Sequence, residues 1–460
     1  METLGNSAAS RDIRYHLHPY TNVKVHEKQG PLVITRGEGV RVFDESGKGY
    51  IEGMAGLWCT ALGFSEPRLV EAATRELKRL PYYHNFAGKA SDVIIDLAEK
   101  LISIAPVPMS KVFFANSGSE ASDTAVKLVW YYNNAIGRPE KKKIISRIKA
   151  YHGVTIASAS LTGLPNNHRD FDLPIARILH TDCPHHYRFG KAGESEEDFA
   201  TRCAASLEKL IQDQGPDTVA AFIAEPVMGA GGVIVPPRTY FEKVQKVLRK
   251  YDILFIVDEV ICGFGRTGNL WGAQTFDLKP DMITMAKALS SAYLPISAVM
   301  ISEPIYRSIV KESEKIGVFA HGFTYSGHPV PAAVAVEALK IYEERDIVGH
   351  VREVGPHFQS SLRALAGHPL VGEVRGVGLV AGVEVVKNKA TKQPFDPAAG
   401  VGNYLYGRTQ AHGAITRAIV DTIAFSPPLV ITKAEVDEMV SCFRQGLDDT
   451  LAMVRERGLA

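Results

Sequence analysis

Three short stretches carry residue types that could do chemistry together, and each lies where an apolar run gives way to polar residues. Phe113-Phe114-Ala115-Asn116-Ser117-Gly118-Ser119-Glu120-Ala121 reads as a strand that stops in a small polar turn and restarts as a helix. Free backbone N–H groups and the positive end of a helix dipole favour an anion at such a turn, and Gly118 lets the backbone approach a phosphate closely. An ordinary capped connection has the same pattern. Ile253-Leu254-Phe255-Ile256-Val257-Asp258-Glu259-Val260 is an apolar strand ending in two carboxylates, at the edge where open α/β sheets place their ligands. Either acid could simply cap or pair at the sheet edge, but burying Asp258 demands a cation or several donors. In Asp281-Met282-Ile283-Thr284-Met285-Ala286-Lys287-Ala288-Leu289 a lysine directly follows an apolar run. Desolvated there, Lys287 can lose its proton and act as the amine of a Schiff base; extended to the surface it would keep its charge in water.

Taken singly, each stretch has a plain structural explanation. In chain order they are a phosphate turn, a strand-end acid and an amine, and one common cofactor asks for all three. Pyridoxal 5′-phosphate places its phosphate on a helix N-terminus, its ring nitrogen on an acid and its aldehyde on a lysine.

Such a site needs a scaffold of parallel strands, and the chain has one to offer. At 460 residues it is long enough for about two or three domains. Hydrophobic residues are 45% and charged residues 22%, which suits a soluble chain with a substantial core and not a disordered one. From about residue 90 onward amphipathic stretches alternate with short apolar runs, as parallel strands joined by crossover helices do. Strands are predicted over 111–114, 143–147, 218–224 and 253–257, with helices over 120–133 and 238–251. Residues 31–52 read as an antiparallel meander turning at Asp44-Glu45-Ser46-Gly47, and 370–386 and 414–430 repeat that β-rich character. Thr432 and Glu435 have capping-box spacing ahead of a helix that lines up Val436, Val440, Phe443, Leu447, Leu451 and Val454. The expected fold class is therefore α/β, with a large central domain at 61–329 and a small α+β domain built from 1–60 and 330–460.

The motifs NSGSEA (116–121), YHG (151–153), DEVICGFGRTG (258–268), MAKALS (285–290) and HGFTYSGHP (321–329) resemble the class III aminotransferases, most of all the amine:pyruvate or ω-transaminases. The resemblance covers nearly the whole chain. It implies the type I pyridoxal-phosphate fold, like that of aspartate aminotransferase, and a homodimer with both active sites at the subunit interface. It implies Lys287 as the Schiff-base lysine and Asp258 as partner of the pyridine nitrogen. Ser117, Gly118 and Ser119 would hold the phosphate, Tyr151 and Val260 would cover the two ring faces, and Glu225 would help to orient the site. Thr324 would reach across the interface to the partner's phosphate. Trp58, Tyr20, Tyr82 and Phe86 would wall the substrate pocket, and Arg417 would pair with a substrate carboxylate and swing aside for an uncharged amine. Ala87 stands where relatives often carry a second aromatic residue, which bears on pocket size. The implied reaction moves an amino group from a primary amine or ω-amino acid to pyruvate by a ping-pong route. A β-alanine or 4-aminobutyrate enzyme of the same class shares almost every motif, and a decarboxylase or aminomutase shares the lysine and the acid.

Other readings are weaker. Gly263-Phe264-Gly265-Arg266-Thr267-Gly268 satisfies a dinucleotide fingerprint, yet the residues after it are a poor helix start. Cys183 with His185-His186 lacks a second ligand cluster, so no metal is expected. Lys+Arg at 52 against Asp+Glu at 51 leaves no field to draw in a nucleic acid or an anionic membrane, and no apolar run reaches bilayer length. The stretch 1–20 carries Arg11, Asp12, Arg14 and several histidines and has no signal-peptide core. Five scattered cysteines suit reduced thiols, and a cytoplasmic location is the expectation.

Overall fold

The apolar runs Val219–Ala224 and Leu254–Asp258 pair as parallel neighbours inside a seven-stranded sheet of the computed structural model, which describes residues 5–459. Every residue of Val219–Ala224 is buried, as a strand covered on both faces must be. In spatial order the sheet runs Lys111–Ala115, Ser297–Ile301, Met282–Met285, Leu254–Asp258, Val219–Ala224, Lys143–Arg147, Ile178–Thr181. Ser297–Ile301 runs antiparallel to both of its neighbours, and the other pairings are parallel. The carboxyl ends of the parallel strands therefore share one edge.

Helices cover both faces of this sheet. Gly118–Ala135 buries Ala121, Ala125, Leu128 and Val129, spaced at three and four residues so that they form one stripe. Tyr240–Lys250 does the same with Val244, Val247 and Leu248. Each large aliphatic side chain taken fully out of water contributes roughly 1.5–3 kcal/mol, so these stripes hold the crossover helices to the sheet.

The meander forms as expected from Ile34–Glu38, Arg41–Asp44 and Gly49–Glu52, and Asp44 accepts N–H bonds from Ser46 and Lys48 to close its turn. Its fourth strand, Ala414–Ile415, comes from the other end of the chain and pairs parallel to Gly49–Glu52. A second four-stranded sheet orders Val371–Val377, Val380–Val385, Thr422–Phe425 and Arg417–Ile419. Helix Lys433–Glu456 opens with the reciprocal cap: Glu435 N–H donates to Thr432 Oγ1 at 3.3 Å, and Thr432 N–H donates to Glu435 Oε2 at 2.8 Å. Among the described residues no helix is long and apolar enough to cross a membrane.

Candidate active site

The shared edge of the sheet opens into a cavity of about 1460 Å3. Four strand ends feed it. Asp258 closes Leu254–Asp258, Glu225 follows Val219–Ala224, Tyr151 follows Lys143–Arg147, and Lys287 follows Met282–Met285 after a single alanine. Gly118 and Ser119 reach it from the start of their helix, and Trp58 and Arg417 reach it from the terminal segments.

Asp258 is 4% exposed, and its oxygens are well partnered. Its Oδ1 accepts the Val260 N–H at 3.0 Å, and its Oδ2 lies 2.7 Å from His152 Nδ1. A carboxylate only accepts, so the imidazole presents its N–H to Asp258. That leaves His152 Nε2 buried without a partner among the described residues. His152 stood in the YHG motif without an assigned role; a buried acid that demands a donor was the signal that could have found it. The neighbouring Glu259 has a different job. Its two oxygens accept the N–H groups of Gly272 at 2.9 Å and Ala273 at 2.6 Å, and burial pushes its carboxyl up to about 7. The capping explanation thus belongs to Glu259, and Asp258 is the acid that faces the cavity.

The Lys287 amine makes no hydrogen bond or ion pair among the described residues. Burial lowers its pKa, an effect that Cys59, Asp258 and Glu225 oppose electrostatically. Its backbone is left-handed at φ 52°, and Ser291 and Ala292 follow at 51° and 61°. Non-glycine residues held there cost on the order of 1–3 kcal/mol each, a strain that tends to concentrate at working sites. Glu225 is buried and raised in pKa by that burial; it accepts N–H groups from Tyr151 at 3.1 Å and Gly229 at 3.0 Å, so it braces the segment carrying Tyr151. The Tyr151 hydroxyl is itself pushed up to about 12 by burial, and its ring meets the Tyr20 ring edge-on at 6.3 Å.

At the anion turn, Ser119 Oγ accepts the Val154 N–H at 3.1 Å, which leaves its own O–H to donate into the cavity. The first-turn N–H groups of helix Gly118–Ala135 have no acceptor within the helix. A Cβ on Gly118 would come within 3.2 Å of Val260, so the glycine keeps the cradle open. An unpaired amine, a partnered acid and this cradle together fit pyridoxal phosphate. Ser117 does not line the cavity. Its Oγ accepts the Glu120 N–H as the helix cap, so its expected part in holding the phosphate rests on the resemblance alone.

Trp58 is 2% exposed and lies in a turn in which Ala55, Gly56 and Trp58 all have positive φ. Glu52 anchors that turn by accepting the N–H groups of Met54, at 3.2 Å, and Gly56. Arg417 is half-buried and its guanidinium pairs with nothing among the described residues. Tyr82, Phe86 and Thr324 are not brought to this cavity. They are exposed and gather elsewhere: the Tyr82 hydroxyl donates to the Thr324 carbonyl at 2.8 Å, and Phe86 covers Gly322. Tyr82 and Phe86 therefore do not wall the pocket of their own chain.

The fingerprint-like loop Gly263–Gly268 opens no long helix; Arg266 is buried in it, donating to the Leu379 and Pro427 carbonyls at 3.0 and 2.5 Å. His185 points at Glu373 at 2.9 Å, and the Arg375 guanidinium sits between Glu373 and Glu384, so the cations at this loop are already supplied by the protein.

Residues 22–447 match the Aminotransferase class-III family. The chain is 55% identical over 454 residues to gamma-aminobutyrate transaminase 1, mitochondrial, of Oryza sativa subsp. japonica, covering 98% of this chain and 88% of that one. It is 52% identical over 460 residues to gamma aminobutyrate transaminase 3, chloroplastic, of Solanum lycopersicum, covering 99% and 88%. The crystal structure of the omega transaminase from Pseudomonas jessenii in complex with PMP superposes with a TM-score of 0.96 at 57% identity, covering 98% of this chain and 99% of that one. The cytoplasmic expectation is corrected by these relatives, which are named as mitochondrial or chloroplastic and point to an organelle. Free cysteines argue against an oxidising compartment but do not separate one reducing compartment from another. Family match, fold and site agree: the chain belongs to the class III aminotransferases, and it is a pyridoxal-phosphate-dependent transaminase.

Proposed function

We propose that the enzyme moves the amino group of a terminal primary amine, ω-amino acids such as 4-aminobutyrate included, to pyruvate. The observation that carries this reading is the cavity's composition. The Lys287 amine and the Arg417 guanidinium, both without ion-pair partners, line one space with the acid Asp258.

Bound pyridoxal phosphate would supply an electron sink for the pair left behind when a proton leaves the substrate carbon. The residues do the rest. Asp258, held by His152 and the Val260 N–H, would keep a proton on the ring nitrogen. Gly118 and Ser119 would hold the phosphate, and Tyr151 and Val260 would fix the ring plane from either face. Lys287 Nζ would take the proton from the substrate carbon and deliver it to the cofactor's aldehyde carbon. Arg417 offers a planar fork to a keto-acid carboxylate, while Trp58 and Tyr20 shape the space for an apolar amine.

Tyr82, Phe86 and Thr324 lie on an exposed patch with Tyr325, which is 60% exposed. They serve the cavity of a second copy, so the working unit is a homodimer. The small domain is made from residues 1–60 and 330–460 around the large domain at 61–329; residues 1–4 and 460 lie outside the described residues. A donor panel with and without a distal carboxylate, run against pyruvate and 2-oxoglutarate, tests the reading. Turnover of plain amines with pyruvate supports it. Turnover restricted to β-alanine or 4-aminobutyrate makes the enzyme a dedicated ω-amino-acid transaminase, and product without any keto acid would indicate a decarboxylase or aminomutase.

A further inference from the structure

The histidines near the N-terminus have no part in the cavity chemistry above, yet they converge. Helix Ala8–Tyr15 carries Asp12, the extended stretch after it carries His16 and His18, and helix Val23–Gln29 carries His26. His16 Nδ1 lies 3.0 Å from Asp12 Oδ1. His18 Nε2 lies 2.9 and 2.8 Å from the two Asp12 oxygens, and His26 Nε2 lies 2.9 Å from Oδ2. Three imidazoles, two from the linker and one from the second helix, thus aim one nitrogen each at a single carboxylate on the first helix. The side chains of Asp12 and His26 are only 19% and 9% exposed.

The segment has no core of its own. No residue between 5 and 30 is buried, and neither helix contributes a side chain to the core. A helical pair with no apolar interior is not stable by itself, and units this small are usually held by a metal, a disulfide or a second chain. Among the described residues every cysteine is free, which removes the disulfide.

We propose that Asp12, His16 and His18 form a binding site for a divalent transition metal of the zinc class, with His26 bracing Asp12 from the second helix, so that the ion pins the two N-terminal helices to each other. Two imidazole nitrogens and one carboxylate oxygen, with a fourth position for solvent, are a donor set that such ions accept. The ligand atoms of Asp12, His16 and His18 all lie within 4.8 Å of one another. Metal–ligand bonds of about 2.0–2.1 Å make ligand–ligand edges of roughly 3.3 Å, so the ion would reset the present spacings of these three atoms. Each ligating imidazole offers the metal a nitrogen free of its proton and keeps its N–H on the other ring nitrogen.

The test uses full-length holoenzyme stripped with a chelator and titrated calorimetrically with Zn2+. One saturable site per chain is expected. It should weaken at least tenfold in His26→Ala and in Asp12→Asn, since loss of even an outer-shell partner costs about 10–100-fold. Limited trypsin digestion at Lys24 and Lys28 gives a second readout: Zn2+ should slow cleavage in the parent and leave both variants unprotected. Absence of saturable binding, equal affinity in the variants, or protection by chain concentration and not by Zn2+ would overturn the proposal, the last by assigning the segment to a second copy.

Discussion

Arg417→Ala should separate the two halves of the reaction. The side chain is half-buried, faces the Lys287 cavity and makes no ion pair of its own, so its charge is available to a substrate carboxylate. A hydrogen-bonded pair between charged groups in such a setting is worth about 1.5–3 kcal/mol, and each 1.36 kcal/mol is a factor of ten, so the loss in kcat/KM toward pyruvate should be about 10- to 150-fold. A plain amine donor has no carboxylate to lose. Its half-reaction should change by less than about threefold, and the space vacated by the guanidinium could even favour bulkier amines. Stopped-flow measurement of each half-reaction on the purified enzyme reads both values. Equal losses in the two halves would refute the assignment and leave Arg417 as a structural strand-edge residue.

Further outcomes follow from the same geometry. His152→Gln should strip Asp258 of its best-placed donor and weaken cofactor retention about 5- to 150-fold, from the roughly 1–3 kcal/mol of a broken buried contact, as read by equilibrium dialysis of pyridoxal phosphate. Gly153→Ala should abolish cofactor binding more severely than Gly118→Ala, because its Cβ would fall 2.5 Å from Ser119 Oγ at a φ of +134°, against 3.2 Å from Val260 for Gly118. Glu52 is raised by burial from an ordinary 4.5 to about 7, so its contribution to stability is fully present below pH 4.5 and is lost as the pH rises through 7. The span corresponds to roughly 3 kcal/mol. Glu52→Gln should flatten the fall in denaturant midpoint across that window, and an unchanged slope would contradict the burial argument.

The strand-end and helix-start residues that line the cavity were legible because each obeys a local rule. Apolar strands that end in Asp258 or precede Lys287, and a glycine at a helix start, announce themselves in a short window of sequence. What escaped was long-range. Nothing near Asp258 and Glu259 says which acid faces the cavity; that depends on His152, 106 positions away, and on the N–H groups of Gly272 and Ala273. For Ser117 the sequence did not separate a helix cap from an anion contact, because both use the same residue types. Tyr82, Phe86 and Thr324 were expected at the pocket or the interface, yet the fold carries them to an exposed patch away from the cavity, and no local periodicity reports on that. The compartment was the least legible of all, since thiol content separates oxidising from reducing surroundings and nothing finer.

One buried amine, that of Lys287, is assigned to hold the cofactor, and borohydride reduction of the holoenzyme followed by peptide mapping shows whether it does. A single pyridoxyl adduct on Lys287 is expected, with the visible band and turnover both lost in Lys287→Ala. An adduct on another lysine, or turnover that survives the substitution, would contradict the assignment.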